Sequence, residues 1–190
     1  ALTERDPAQL PPVDPVAVDA DLAGSELNDE QQAAVRSVAT RPVTVLTGGP
    51  GMGKTHAIGQ VLRTMARASG GALRIGLAAP TGKAAARLSE SIGKEVRVLP
   101  VSDAVRAEIP TDVSTLHRLL GSRPNSRNFI HQRDKPLELD VLVVDEASMI
   151  DLPLMAKLVE AVPDGARLVL LGDPDQLPSV EAGDVLAGIL

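Results

Sequence analysis

Short runs of consecutive apolar residues recur along the chain and alternate with longer stretches in which apolar residues recur at helical spacing. A run that is apolar at every position predicts a strand covered on both faces, as in a parallel sheet. The alternation with helices predicts an α/β fold with right-handed crossovers around a mostly parallel sheet. The predicted strands are residues 43–46, 75–79, 141–144 and 168–171.

Three helices are predicted from the same pattern. Asn28 is a suitable N-cap for an amphipathic stretch that runs to about residue 39. A second helix runs from Gly53 to about residue 68, and a third covers residues 84–91. Two regions do not follow this alternation of strands and helices. Residues 1–26 are rich in proline and aspartate and are predicted to be a linker or the tail of a preceding domain. Residues 121–138 are predicted to be an inserted hairpin or a long loop.

The composition is that of a globular domain with an aliphatic core, because 44% of the residues are hydrophobic and Phe129 is the only aromatic residue. The chain contains no cysteine, which excludes disulfides and cysteine-based metal sites. No apolar run approaches the roughly 20 residues that span a membrane, and the acidic N-terminus has no hydrophobic signal segment. These features predict a cytoplasmic protein.

The net charge of −6 argues at first against a nucleic-acid partner. The charge is unevenly distributed, however, because residues 1–30 carry −7 and residues 31–190 carry +1. Residues 114–135 contain five bases and one acid, together with His117 and His131. A local basic strip of this kind can follow phosphates, although a solvated loop with scattered arginines has the same composition.

The sequence GGPGMGKT at residues 48–55 fits the pattern G-x-x-x-x-G-K-[ST] and lies between a predicted strand and a predicted helix. Glycines at these positions allow backbone N–H groups to surround phosphate oxygens at the helix N-terminus. Lys54 can reach the β- and γ-phosphates of ATP, and the Thr55 hydroxyl can bind Mg²⁺. The predicted nucleotide-binding residues of this segment are Gly48, Gly49, Pro50, Gly51, Met52, Gly53, Lys54, Thr55 and His56.

Two further strands end in polar residues. The strand at 141–144 is followed by Asp145 and Glu146, which places two carboxylates at the carboxyl edge of the sheet, beside the phosphate loop. Asp145 is predicted to hold Mg²⁺, and Glu146 to orient and deprotonate the attacking water. The strand at 168–171 leads to Gln176, whose amide can sense the γ-phosphate, although an ordinary strand-to-helix loop would read the same way.

Six segments stand in the order of the motifs of superfamily 1 DNA helicases. LNDEQQAAV, GGPGMGKT, APTGKAAARL, STLHRLLG, VLVVDEAS and GDPDQLPSV resemble the Q motif and motifs I, Ia, Ib, II and III. The segments LAAPTGKAAARLSESIG and LDVLVVDEASMIDLPLM most resemble the RecD family, the alpha subunits of exodeoxyribonuclease V. The resemblance covers about residues 27–190 and implies a RecA-like motor domain.

The resemblance implies ATP- and Mg²⁺-dependent 5′-to-3′ movement on single-stranded DNA in recombinational repair, together with the other exodeoxyribonuclease V subunits. A stand-alone RecD-like helicase, or a nucleotide-switched regulatory module that does not move on DNA, are the alternatives. Gln31 matches the glutamine that reads adenine, and residues 121–138 match a small hairpin subdomain. The positions that match DNA-contacting segments are Pro80, Thr81, Lys83, Thr115 and His117.

The chain departs from the family pattern in several places. Met52 and His56 stand where threonine is commoner, and the lack of Trp and Tyr removes the usual platforms for base stacking. The sequence ends at Leu190, before the family's second motor domain and the arginine that reaches the γ-phosphate. We therefore expect one lobe of a longer protein, which by itself binds Mg²⁺–nucleotide weakly and unwinds no DNA.

Overall fold

The computed structural model describes residues 8, 10–25, 27–48, 53–70, 73–124, 126 and 128–173. The helices in these ranges are α1 (Pro15–Ala23), α2 (Asp29–Thr40), α3 (Lys54–Ala68), α4 (Gly82–Val98), α5 (Asp103–Glu108), α6 (Leu116–Leu120) and α7 (Leu152–Ala161). The strands are β1 (Val43–Thr47), β2 (Ile75–Ala79), β3 (Val113–Thr115), β4 (Val141–Val144) and β5 (Arg167–Gly172).

The five described strands form one parallel sheet in the order β1-β5-β4-β2-β3. Every residue of β4 and β5 is buried, as expected for central strands that are covered on both faces. The predicted α/β fold class is therefore confirmed. The strands at 75–79 and 141–144 have the predicted bounds, and β1 and β5 are slightly longer than predicted.

The core consists of two aliphatic layers, one on each face of the sheet. Side chains alternate along β4, so Val141 and Val143 face one layer whereas Leu142 and Val144 face the other. The first layer is completed by residues of α1 to α4, and the second by residues of α6 and α7. The buried hydrophobic residues in the described ranges are all aliphatic, and Phe129 packs at the border of the second layer.

The N-terminal segment differs from the extended linker that the sequence predicted. Residues 15–23 are helical because the Asp14 carboxylate accepts a hydrogen bond from Val16 N at 2.9 Å and because proline is favourable in the first turn. Val18 and Leu22 are buried in the first core layer. Prolines and acidic residues suggested a solvated segment, but this helix packs on the domain and is part of it.

The contacts of Asp21 allow α1 to bury a carboxylate against α3. Its side chain is 3% exposed and accepts hydrogen bonds from Arg63 Nε at 3.1 Å and from Thr64 Oγ1 at 2.6 Å. Arg67 donates a further bond to the other carboxylate oxygen at 2.5 Å. Since each buried charge has an opposite charge and a hydrogen-bond partner, the cost of desolvation is offset.

The helix α4 is longer than the predicted 84–91. The Thr81 hydroxyl caps it by accepting from Ala84 N at 3.2 Å, and buried Ile92 and Val96 continue the apolar stripe toward the C-terminus. The helix ends before Leu99, which has an extended conformation because a proline follows it. The short elements α5 and β3 were not predicted, since three to six residues carry little periodicity.

Backbone hydrogen bonds join several of the described residues in the range 121–138. Gln132 and Lys135 form an antiparallel bridge, and Ile130 N donates to Gly121 O at 3.0 Å. Gly121 has a φ of +75°, and a Cβ at this position would lie 2.7 Å from the Cβ of Ile130. Glycine is therefore required where the loop leaves α6.

Replacing Asp21 with Ala should lower the free energy of unfolding by about 3–5 kcal/mol, because the buried guanidinium of Arg63 would lose its counter-charge. Asp19→Ala is the matched control on the same helix. It removes an exposed ion pair with Arg36 and should cost about 0–1 kcal/mol. Urea unfolding of both variants measures the difference, and equal losses would contradict a structural role for the buried network.

The amino-terminal edge of the sheet is held by an ion pair between the residues that precede β2 and β4. Asp140 Oδ2 accepts from Arg74 N at 2.8 Å and from Arg74 Nε at 3.0 Å, and Oδ1 accepts from Nη2 at 3.0 Å. The hydrogen bond from the Arg74 guanidinium lowers the pKa of Asp140 below its ordinary value, against the opposing effect of burial. The nearby charge of Arg167 also lowers the pKa of Asp140.

Asp140→Ala should lower stability by about 1 kcal/mol at neutral pH, since Arg74 is largely in water and screening limits the interaction. A carboxylate with a depressed folded pKa stabilises the protein above its unfolded pKa of about 3.9. The difference between variant and parent should therefore persist above about pH 4 and shrink as the pH falls through the folded pKa. Thermal melts between pH 7 and pH 2 test this, with exposed Asp164→Ala as control; a difference that does not change with pH would contradict it.

Candidate functional site

Five of the predicted site segments begin where parallel strands of the sheet end. Thr47 is paired with Gly172, Val144 with Leu170, and Ala79 with Thr115. Because the strands are parallel, the residues that follow them lie along one edge of the sheet. The segments that reach this carboxyl edge are those starting at Gly48, Pro80, Thr115, Asp145 and Asp173.

The described ends of the phosphate loop have the predicted geometry. Gly48 N donates to Gly172 O at 3.3 Å, which ties the start of the loop to the end of β5. Gly53 has a φ of +74° and forms the N-cap of α3, which begins at Lys54. The first N–H groups of this 15-residue helix have no intrahelical partner and can bind an anion. Residues 49–52 and the side chain of Lys54 lie outside the described part.

Gln31 lies beside the end of this loop. Its backbone N donates to Asn28 Oδ1 at 2.9 Å, and its side-chain Oε1 accepts from Asn28 N at 3.2 Å, which forms a capping box. Its Nε2 lies 3.4 Å from the position that a Cβ on Gly53 would occupy. The glutamine that the resemblance assigns to adenine recognition therefore lies next to the phosphate loop, with its amide group oriented by the helix cap.

The strand order gives the spacing between the phosphate loop and the predicted site residues Asp145 and Glu146. β5 lies between β1 and β4, so the two carboxylates are two strand positions from β1, about 9–10 Å along the edge. Asp145 is held by two bonds, since its N donates to Ala78 O at 3.0 Å and its Oδ1 accepts from Glu146 N at 2.9 Å. A separation of this size leaves room for phosphates and a metal ion along the sheet edge, beyond the strand ends.

Glu146 has a strained backbone, with φ of 52° and ψ of 38°. It is the one non-glycine residue with positive φ in the described ranges. The conformation is maintained by the 3₁₀ turn Ala147–Met149 and by the buried side chain of Ala147. Such strain commonly lies at functional sites, where the surrounding structure fixes a side chain in an otherwise unfavourable position.

Asp173 is a carboxylate at this edge that the sequence reasoning did not assign. It is 3% exposed and follows β5 directly, so it lies between the strand of the phosphate loop and the strand of Asp145. The signal was available, because Gly172-Asp173 ends an apolar strand in the same way as Val144-Asp145. The predicted γ-phosphate sensor, Gln176, lies outside the described residues.

The residues predicted to contact DNA meet at the opposite end of the same edge. β2 and β3 are neighbours, and they lead into the N-termini of α4 and α6. Thr81 and Thr115 use their hydroxyls as helix caps, as Thr115 accepts from Arg118 N at 3.3 Å. Lys83 and His117 are exposed beside them. Gln31 lies near the end of β1, so about three strand spacings separate it from the residues after β2 and about four from those after β3, or roughly 14–19 Å.

The surface around His117 is basic. The ring of His117 contacts Phe129 edge to face, with 5.7 Å between ring centroids. Four cationic side chains in and beside the segment 121–138 are exposed, namely Arg118, Arg123, Arg133 and Lys135. Arg127 of the same segment lies outside the described part. The described cations of the basic strip seen in the sequence are therefore on the surface.

The side chains available for Mg²⁺ fit this ion. Thr55 lies in the first turn of α3 and Asp145 at the end of β4. A hydroxyl and a carboxylate both offer oxygen ligands, which Mg²⁺ prefers. Mg²⁺ usually completes its coordination with water and phosphate oxygens. Among the described residues, no group of three or more His, Cys, Asp or Glu side chains is arranged to hold a metal ion by protein ligands alone.

The parallel sheet, together with a glycine-rich loop between β1 and α3, defines the class of protein: an α/β P-loop nucleotide-binding domain. Residues 31–182 match the family model described as AAA domain. The chain belongs to the AAA domain family. In the described part, no helix is long and apolar enough to cross a membrane.

Several relatives of the chain are RecD proteins. The chain is 50% identical over 166 residues to the RecBCD enzyme subunit RecD of Mycobacterium tuberculosis, covering 85% of this chain and 28% of that protein. It is 47% identical to the same subunit of Haemophilus influenzae, over 85% of this chain and 26% of the relative. It is 42% identical to the ATP-dependent RecD2 DNA helicase of Deinococcus radiodurans, over 83% of this chain and 19% of the relative.

These similarities confirm the resemblance to RecD, and the chain spans 19–28% of the length of these relatives. Among solved structures, the chain is similar to one described as "Structural Basis for DNA Unwinding at Forked dsDNA by two coordinating Pif1 helicases", with a TM-score of 0.52 and 21% identity. That likeness covers 84% of this chain and 36% of the other, and it supports the fold.

Proposed function

We propose that this chain is the first motor domain of an ATP-dependent DNA helicase of the RecD type, which couples ATP hydrolysis to movement on single-stranded DNA. The observation that carries the proposal is the arrangement of one sheet edge. The start of α3 follows β1, Asp145 and Glu146 follow the central strand β4, and exposed Lys83 and His117 follow β2 and β3. A single rigid sheet thus supports a nucleotide site and a cationic surface.

In the nucleotide site, the backbone N–H groups of the loop and of the first turn of α3 bind phosphate oxygens, and Lys54 adds a positive charge. Thr55 and Asp145 hold Mg²⁺, directly or through its water shell. When bound, this ion neutralises charge on the β- and γ-phosphates. Gln31 orients the adenine, and Gln176 senses the γ-phosphate.

Glu146 orients the attacking water and accepts its proton. Its backbone has the strained left-handed conformation, and its N–H donates to Asp145 Oδ1, while Asp145 N donates to Ala78 O. The two carboxylates therefore have separate roles, one toward the metal ion and the other toward water.

We further propose that the protein acts with the other subunits of a RecBCD-type exodeoxyribonuclease V and that a second motor domain completes the nucleotide cleft. The identities of 47–50% to RecBCD enzyme subunits favour this assignment. A stand-alone helicase is the second candidate, supported by the 42% identity to the helicase of Deinococcus radiodurans. Co-purification of partner subunits with the full-length protein distinguishes the two.

Glu146→Gln should preserve ATP binding and lower turnover by about 10²–10⁴-fold, because an amide can hold the water but cannot accept its proton. The measurement is ATP hydrolysis by the full-length protein with single-stranded DNA, together with ATP binding by calorimetry. Glu160→Gln, which alters a partly exposed pair with Lys157 on α7, is the control and should match the parent. Parental turnover by the Glu146 variant would exclude its role as the base.

ATP hydrolysis by the full-length protein should be stimulated by single-stranded DNA, and Lys83→Ala should weaken DNA binding and reduce its salt dependence by about one counterion. Lys94→Ala is the matched control, because Lys94 lies on the same helix and is paired with Glu90. Binding isotherms at several salt concentrations provide the slopes. An unchanged slope would place Lys83 away from the DNA, and hydrolysis indifferent to DNA would favour a regulatory nucleotide-binding module.

A further inference from the structure

The first turn of α3 is bonded to α4 by a contact that none of the motifs contains. His56 Nδ1 donates a hydrogen bond to Glu95 Oε1 at 2.7 Å. The two side chains are 39% and 21% exposed, so the bond is partly shielded from water. His56 directly follows Thr55, the proposed Mg²⁺ ligand, and Glu95 lies near the C-terminal end of α4. The contact therefore joins the nucleotide site to a helix outside it.

Gly59 shows that this approach of the two helices is close. A Cβ on Gly59 would lie 3.4 Å from Glu95 Cβ, 3.6 Å from Cγ and 3.9 Å from Cδ. The stem of Glu95 thus lies across α3 at Gly59, and its carboxylate reaches back by one turn to His56. Ile58 and Ile92, both buried in the same core layer, hold the two helices together beside this contact.

The start of α3 is consequently held from two sides. Gln31 of α2 lies against Gly53, immediately before the helix, and Glu95 of α4 bonds to His56 within its first turn. Lys54 and Thr55 lie between these two points of contact in the chain. A displacement of the turn would move both the Thr55 hydroxyl and the N–H groups that face the phosphates.

We propose that Glu95 is a positioning residue for the nucleotide site, acting through His56 to fix the first turn of α3 against α4. This inference rests on the proposed ATP-binding function. Since α4 begins at the segment that contains Lys83, the same helix connects the cationic surface to the turn that holds the phosphates. Glu95 touches neither nucleotide nor metal, and its effect on binding passes through the hydrogen bond to His56.

The test compares Glu95→Ala, Glu95→Gln and Glu90→Ala in the full-length protein. Glu90 lies on the same helix in an exposed pair with Lys94 and is the control. Glu95→Ala should raise KM for ATP about tenfold and weaken Mg²⁺–ADP binding similarly, with kcat within about twofold, because the loss falls on ground and transition states alike. Glu95→Gln should stay within about twofold of the parent, since its Oε1 still accepts from His56 Nδ1–H.

A second pair of variants, His56→Ala alone and with Glu95→Ala, tests the route of the effect. If Glu95 acts through His56, the double variant should bind Mg²⁺–ADP within about twofold of His56→Ala. The proposal would be overturned if Glu95→Ala kept the parental KM for ATP and the parental ADP affinity. It would also be overturned if Glu95→Gln, or the control Glu90→Ala, lost as much ADP affinity as Glu95→Ala. Calorimetry with Mg²⁺–ADP needs no DNA, so it decides the role of Glu95 even if DNA fails to stimulate the parent.

Discussion

Parallel pairing between buried strands is the constraint on which the other features of this domain depend. β4 and β5 are buried along their whole length, and the strands around them share one direction. Parallel strands bring the residues that follow them to a single edge, and the helices that return the chain must cover both faces. The proposed nucleotide site and the exposed cationic side chains therefore lie along one edge of the sheet.

The position of β5 between β1 and β4 sets the spacing of the proposed site segments along the edge. Two strand spacings, about 9–10 Å, separate the end of β1, which leads into the phosphate loop, from the end of β4, which leads into Asp145. Buried Asp173, at the end of β5, lies in the interval. Glu146, which follows Asp145, has a strained left-handed backbone of the kind that commonly lies at functional sites.

Polar contacts between side chains, one buried and one partly exposed, fix helices that surround this edge. Asp21 joins α1 to α3 through Arg63 and Thr64, at the end of α3 remote from the phosphates. Glu95 and His56 join α3 to α4 at its phosphate-binding end. Hydrogen bonds of this kind specify a particular helix position, whereas apolar contacts alone tolerate sliding. The helix that carries Lys54 and Thr55 is thereby fixed at both ends by polar contacts with its neighbours.

The sequence by itself determined the α/β class, the main strands, the phosphate loop and the acids after β4, because apolar runs, glycine spacing and a strand-ending acid are local signals. The tertiary structure decided that β5 separates β1 from β4, that residues 15–23 form a helix with Val18, Asp21 and Leu22 buried, and that Glu95 meets His56. The side-chain contacts involved join residues that are 39 or more positions apart in the chain, such as His56 with Glu95 and Asp21 with Arg63. Local periodicity specifies which elements form, but strand order and burial of a charge depend on partners that only the folded chain brings together.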